Sequence, residues 1–179
     1  MASVLETAVS GRAGCRACGA KIAKGEIRFG ERVANPFGEG ETTWWFHVPC
    51  AAYRRPEAFL ALDNPEEVED GVRLQVVARL GDKHPRLARI TRAEQAPSGR
   101  AKCRHCRENI AKESWRIVLH IWDDGRFNAM GFIHVACAPE YFGTGDIMDR
   151  IGRADPAPVP EALAEIAALL PSIDSPSGS

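Results

Sequence analysis

"SGRAGCRAC" runs from Ser10 to Cys18, and "SGRAKCRHC" runs from Ser98 to Cys106. A hydrophobic core constrains apolar period and volume, not a string of Ser, Gly, Arg and Cys. The recurrence therefore reports an internal repeat. Sliding the chain by 88 residues pairs Glu6–Arg28 with Glu94–Arg116, and 13 of the 23 pairs are identical. Further on, "FHVPC" (Phe46–Cys50) answers "IHVAC" (Ile133–Cys137). The chain is a tandem duplication with a connector of about 40 residues between the copies.

The repeat organises every cysteine. Copy one offers Cys15, Cys18, His47 and Cys50, spaced C-x2-C-x28-H-x2-C; copy two offers Cys103, Cys106, His134 and Cys137, spaced C-x2-C-x27-H-x2-C. All six cysteines are used. A two-residue gap lets both thiolates of a turn reach one ion, and the H-x2-C pair supplies two more corners. Three thiolates and an imidazole in a closed tetrahedron suit structural zinc, with no open position for a catalytic water. Haem attachment needs a His after C-x-x-C, where Gly19 and Arg107 stand. A thioredoxin-like pair leaves the H-x2-C pairs unexplained, while iron–sulfur ligation by the same four groups stays open. His105 lacks a counterpart in copy one (Ala17), and His84 and His120 have no matching partners, so all three read as ordinary.

Composition sets outer bounds. With 179 residues, 45% apolar and 26% charged, the chain is globular, as one ordinary domain or two small ones. No apolar run approaches the roughly 18 residues of a membrane span, and "MASVLETAVSGR" lacks the features of a signal peptide. An intracellular, reducing location with no membrane partner is expected, where six cysteines point to metal or redox chemistry.

The expected fold class is α+β: two tandem small zinc-stabilised domains, each a short antiparallel sheet with flanking helices. "SWRIVLHIW" (Ser114–Trp122) alternates, with Trp115, Ile117, Leu119 and Ile121 in phase, and "EIRFGERV" (Glu26–Val33) follows suit through Ile27, Phe29 and Val33. "ANPFGEGE" and "DDGRFNAMG" read as loops, "TTWWFH" and "MGFIH" as strands carrying the histidines, and each last cysteine as opening a helix. Asn64-Pro65-Glu66-Glu67 reads as a helix start, "VRLQVVARL" as helix, and Pro160–Pro171 as helix with Leu163, Ile166 and Leu170 in phase. Gly71 and Gly81 read as punctuation, and "SIDSPSGS" as a disordered tail. The boundaries so drawn are 1–58 (first finger), 59–93 (helical connector packing on it), 94–142 (second finger) and 143–179 (C-terminal helices and tail).

S-G-R-A-x-C-[KR]-x-C, then I-x-K, an Arg ten residues after the second Cys, a Gly-containing loop and the H-x2-C together resemble the PARP-type zinc finger. That module occurs in poly(ADP-ribose) polymerases and a nick-sensing DNA ligase. The likeness spans about Glu6–Arg55 and Glu94–Phe142, and "PEEVEDGVRLQ" also looks like the segment following a finger. Copy two departs from it, with Phe132-Ile133-His134 where copy one has Trp45-Phe46-His47. The resemblance implies two Zn2+ ions, one per finger. It also implies a DNA-associated sensor that recognises nicks, gaps and ends by structure rather than sequence; a non-enzymatic monomer serving a separate repair enzyme is expected. The alternative is a zinc-stabilised protein-interaction or single-strand RNA-binding module.

Charge distribution supports a polyanion partner. The formal net charge is −1, yet Arg12–Arg32 holds six basic residues against Glu26 and Glu31, and Arg100–Arg116 six against Glu108 and Glu113, each +4. Gly143–Ser179 holds two basic and six acidic residues, and this −4 masks the basic faces. Arg12, Arg16, Lys24 and Arg28 recur as Arg100, Arg104, Lys112 and Arg116, the expected phosphate contacts. Break recognition further needs apolar side chains that stack on a terminal base pair. The resemblance assigns these to the loop before the His: Phe37 in copy one, Phe127 and Met130 in copy two. Glu39 and Glu41 beside Phe37 make copy one the weaker stacking unit. No carboxylate pair or nucleophile–base pattern suggests catalysis.

Overall fold

A computed structural model describes residues 3–35, 38–154 and 156–171. The chain divides into two compact units: Met1–Ala88 with Trp122–Phe127, and Arg89–Ile121 with Asn128–Ser179. Each copy contributes a three-stranded antiparallel sheet, a Cys/His cluster and flanking helices, the α+β class expected from the pattern.

In copy one, β1 (Ser3–Thr7), β2 (Ile27–Ala34) and β3 (Glu41–His47) pair in that order. α1 (Val48–Arg54) follows directly from His47, with Pro49 in its first turn, where a missing N–H costs nothing. α2 (Pro56–Leu60) and α3 (Gly71–Lys83) pack against α1 and each other. Phe29 and Phe46 meet edge to face at 6.0 Å, with Phe59, Ile22 and Leu74 also fully buried around them. Rings of this size dominate the burial energy of so small a core.

In copy two, β4 (Ile90–Gln95), β5 (Trp115–Asp123) and β6 (Arg126–His134) repeat the sheet. A single 3-10 turn, Val135–Cys137, leads into α4 (Ala138–Phe142). α5 (Met148–Gly152) and α6 (Pro160–Ala168) complete the unit. Ile166 of α6 is fully buried, and Trp115 donates its indole N–H to Glu165 at 2.8 Å. Among the described residues, no helix is long and apolar enough to cross a membrane.

Several local expectations change. "DDGRFNAMG" is not a loop: Asp124 and Gly125, at φ 48° and 74°, close the β5–β6 hairpin in two residues, and strand resumes at Arg126. An Asp-Gly pair with both residues left-handed is the turn whose twist matches the flanking strands. Asn64-Pro65-Glu66-Glu67 starts only a 3-10 turn, Pro65–Glu67; the α-helix begins at Gly71, and Gly81 is buried inside it. Ile27 and Ile121 are exposed rather than sharing the buried face of their strands, while Arg28, Glu31, Arg116 and Val118 are buried. The segment 172–179, read as a disordered tail, lies outside the described residues, as does Phe37.

Candidate metal centres and nucleic-acid interface

Each C-x-x-C forms a tight knuckle fastened to the strand that ends in the ligand histidine. Arg16 N–H bonds to the Trp45 carbonyl, and Arg104 N–H to that of Phe132, both at 2.9 Å. Within the knuckles, Gly19 N–H bonds to the Cys15 carbonyl at 2.8 Å and Arg107 N–H to the Cys103 carbonyl at 3.0 Å. The first sulfur of each pair is thereby brought to the histidine at the strand end.

Cys15, Cys18, His47 and Cys50 converge with all ligand atoms within 4.8 Å of one another, and so do Cys103, Cys106, His134 and Cys137. His47 Nδ1 lies 3.4 Å from Cys18 Sγ and 3.9 Å from Cys50 Sγ, and His134 Nδ1 the same distances from Cys106 and Cys137. Zinc bonds of about 2.0–2.3 Å give tetrahedral edges of roughly 3.5–3.8 Å, so both clusters match the ion's donor set and size. The other ring nitrogen is engaged in the same way twice: Nε2 donates to the Lys21 carbonyl at 3.3 Å in copy one and to the Asn109 carbonyl at 3.2 Å in copy two. That bond fixes the tautomer that leaves Nδ1 free for the metal. Each cluster is a Cys3His zinc site, giving two Zn2+ ions, one per copy.

The sulfurs are not equivalent. A hydrogen bond from Cys50 pulls the Cys15 thiol down to about 4, against burial, which opposes the shift. Cys103 is pushed up by burial, but the backbone N–H groups of His134, Cys106 and His105 outweigh this and hold it at about 6. Burial, with the Cys103 thiolate beside it, pushes Cys137 up to about 12. Cys50 is driven far upward by its bond to Cys15 and by burial, and Cys18 is raised mainly by burial. Cys15 and Cys103 are thus the ready thiolates, and metal uptake must displace the protons held by Cys50 and Cys137.

The basic residues separate into two groups. Arg12, Arg16, Lys24, Arg100, Arg104 and Lys112 are all exposed. Arg28 and Arg116, expected to meet phosphate, are buried and engaged inside their own sheets. Arg28 stands opposite Glu6 on β1 and donates from Nε at 3.1 Å, while its guanidinium lies 3.6 Å above the Trp45 ring. Arg116 stands opposite Glu94 on β4, donates from Nε at 3.0 Å, and lies 3.5 Å above Phe132. The repeated Glu and Arg of the two copies are therefore an ion pair with an aromatic floor. Only strand register reveals this, since Glu6 and Arg28 are 22 residues apart in sequence.

The expected stacking residues also have protein partners. Phe127 on β6 is half-buried in the first unit, 4.7 Å from the Trp122 ring and beneath the Arg54 guanidinium at 4.0 Å. Met130 is half-buried and its sulfur lies 3.9 Å from the Tyr141 hydroxyl, while that hydroxyl also accepts from Arg89 Nη1 at 2.9 Å. Two further features carry no signal in the sequence. Glu31 is buried in a two-point ion pair with Arg55, at 2.6 and 2.9 Å. His105 bonds to Glu140 at 2.8 Å.

Residues 6–81 match the family described as the poly(ADP-ribose) polymerase and DNA-ligase Zn-finger region. The poly(ADP-ribose) polymerase of Sarcophaga peregrina is 30% identical over 140 residues, covering 66% of this chain and 14% of that protein. Poly(ADP-ribose) polymerase 1 of Gallus gallus is 30% identical over 128 residues, covering 63% of this chain and 13% of that protein. The polynucleotide 3'-phosphatase ZDP of Arabidopsis thaliana is 24% identical over 180 residues, covering 85% of this chain and 26% of that protein. The chain thus spans about a quarter or less of each relative's length. By its ligand spacing and the match over residues 6–81, the first copy is a PARP-type zinc finger, and the second copy repeats its Cys3His geometry.

Proposed function

We propose that this chain binds DNA strand breaks (nicks, gaps and ends) without sequence preference, using the basic surfaces of two zinc-stapled fingers. The observation carrying this reading is the recurrence of exposed cations at one offset: Arg12 with Arg100, Arg16 with Arg104, Lys24 with Lys112. A core would not preserve solvent-facing charge at matched positions, whereas a polyphosphate backbone rewards it. The match of residues 6–81 to the family's Zn-finger region supports the same partner, and the Arabidopsis relative is named for a reaction at polynucleotide 3' ends. The reading is one of binding without catalysis, since the matched segment is the Zn-finger region of its family. The chain would act inside the cell, as a monomer, beside a separate repair enzyme.

Preference for a break is assigned to base stacking by Phe127 and Met130. On a DNA end these side chains exchange their contacts with Trp122 and Tyr141 for the face of a terminal base pair. Stacking of this kind is worth about 1–3 kcal/mol per base. A competition panel tests the reading: labelled nicked duplex bound to the zinc-loaded chain, challenged with nicked duplex, intact duplex and single-stranded RNA. Nicked duplex should compete best. Single-stranded RNA competing best would replace this reading with an RNA-binding one, and no binding to any of the three would favour a protein partner.

A further inference from the structure

The two copies use one backbone for their zinc knuckles but place different side chains on it. Position 19 is glycine at φ 78°, and its counterpart 88 residues on is Arg107 at φ 70°. The left-handed conformation suits glycine and is rarely adopted by side-chain-bearing residues. Copy two therefore carries an arginine where its own sister sequence shows that glycine fits with less strain. That side chain is not buried in a core that could offset the strain: Arg107 is exposed, and so are Lys102 and Arg104 beside it. Lys102 likewise stands where copy one has Gly14.

The two knuckles differ in charge as a result. Residues 102–108 carry three cations against Glu108, net +2, whereas residues 14–20 carry Arg16 alone, net +1. Arg16 is in addition partly engaged, donating from Nη1 to the Gly125 carbonyl at 3.3 Å and lying 5.8 Å from the centre of the Trp44 ring. The outward cations of the copy-two knuckle are set on a turn fastened at both ends, by Cys103 N–H to the Glu108 carbonyl and by Arg104 N–H to Phe132. A rigid loop presenting guanidinium and ammonium groups gives up little freedom on meeting a phosphate.

We propose that Lys102 and Arg107 make the second copy's knuckle the tighter phosphate-gripping element, binding the phosphodiester backbone beside a break. The inference rests on the DNA-binding reading above and deepens it by naming unequal roles for the two copies. It predicts a separation that a structural role would not produce. Replacing Lys102 and Arg107 by the residues copy one already uses (Lys102→Gly with Arg107→Gly) relieves the strained φ at 107 and removes two cations. The double variant should keep two zinc ions and melt no lower than the parent. Its affinity for nicked duplex at low salt should fall about three- to tenfold. The slope of log K against log salt should become shallower by roughly 0.9 for each phosphate no longer gripped, so by about one to two in all. The reciprocal variant, Gly14→Lys with Gly19→Arg, should steepen the slope. A parent that binds with a salt-dependent affinity, beside a folded double variant of the same affinity and slope, would overturn this inference alone. A parent that binds no DNA would overturn the underlying reading as well.

Discussion

Arg116 and Glu94 face each other directly across β5 and β4, and the guanidinium bonds to that carboxylate while lying 3.5 Å over the Phe132 ring. Arg28, Glu6 and Trp45 repeat the arrangement in copy one. Removing the cation deletes charge-assisted hydrogen bonds and a ring-stacked guanidinium from a buried position. Arg116→Ala should cost about 1–3 kcal/mol of stability. It should change the salt slope of DNA binding less than Arg104→Ala does, because Arg104 is exposed. Thermal melts and salt titrations of both variants check the pair of outcomes.

The same ion pair has a pH signature. Burial pushes the Glu94 carboxyl up, but hydrogen bonds and charge from Arg116 and Arg92 outweigh it and hold its pKa below the usual carboxylate range. A carboxyl depressed in the folded state contributes stability above its unfolded pKa and forfeits it as pH falls through the folded value. Glu94→Gln should therefore lower stability at neutral pH, and the difference from the parent should shrink on acidification. Melts from pH 7 down through the carboxylate range measure that convergence.

Glu113 stands at φ 66°, where copy one has Gly25 at φ 87°. Its ion pair with Lys112, at 3.5 Å between two exposed side chains, adds little. Glu113→Gly should thus stabilise the chain by about 0.5–1 kcal/mol and raise the melting temperature by a few degrees. The opposite substitution in copy one, Gly25→Glu, should lower it.

Phe127 offers a way to separate packing from stacking. Phe127→Leu keeps apolar volume against Trp122 and Arg54 but removes the flat ring. The variant should keep its zinc and give up less than about 1.5 kcal/mol of stability. Its preference for nicked over intact duplex should nevertheless drop, with the salt slope unchanged because no charge is removed. An unaltered preference would take stacking away from this residue.

The zinc ligands are legible in the sequence because their chemistry fixes both residue type and short-range spacing, and because the repeat states it twice. The central strands are legible through "SWRIVLHIW" and "EIRFGERV". The first strand of each sheet is not: "SVLET" and "ITRAEQ" are short, mixed in polarity and only partly buried, so neither period stands out. The hairpin turn is hidden inside a polar run whose Asp-Gly pair closes the chain in two residues rather than opening a loop. Arg28 and Arg116 illustrate the deeper limit. Sequence shows that a cation recurs, but only strand register shows that it faces a glutamate and a ring rather than solvent.

Zinc stoichiometry links fold to function. Metal analysis of the purified chain should return two zinc ions, and Cys15→Ala or Cys103→Ala should each return one. Uptake by the metal-free chain should release protons, since Cys50 and Cys137 hold theirs tightly.

The most direct test of the central claim is the ratio of affinities for nicked and intact duplex of the same sequence, at one salt concentration. It should be measured for the zinc-loaded chain and again after chelation. The account predicts a roughly ten- to hundredfold preference for the nicked duplex with zinc bound, the equivalent of about 1–3 kcal/mol of stacking, and its disappearance with the metal. Equal affinity for the two duplexes in the fully zinc-loaded chain would contradict it.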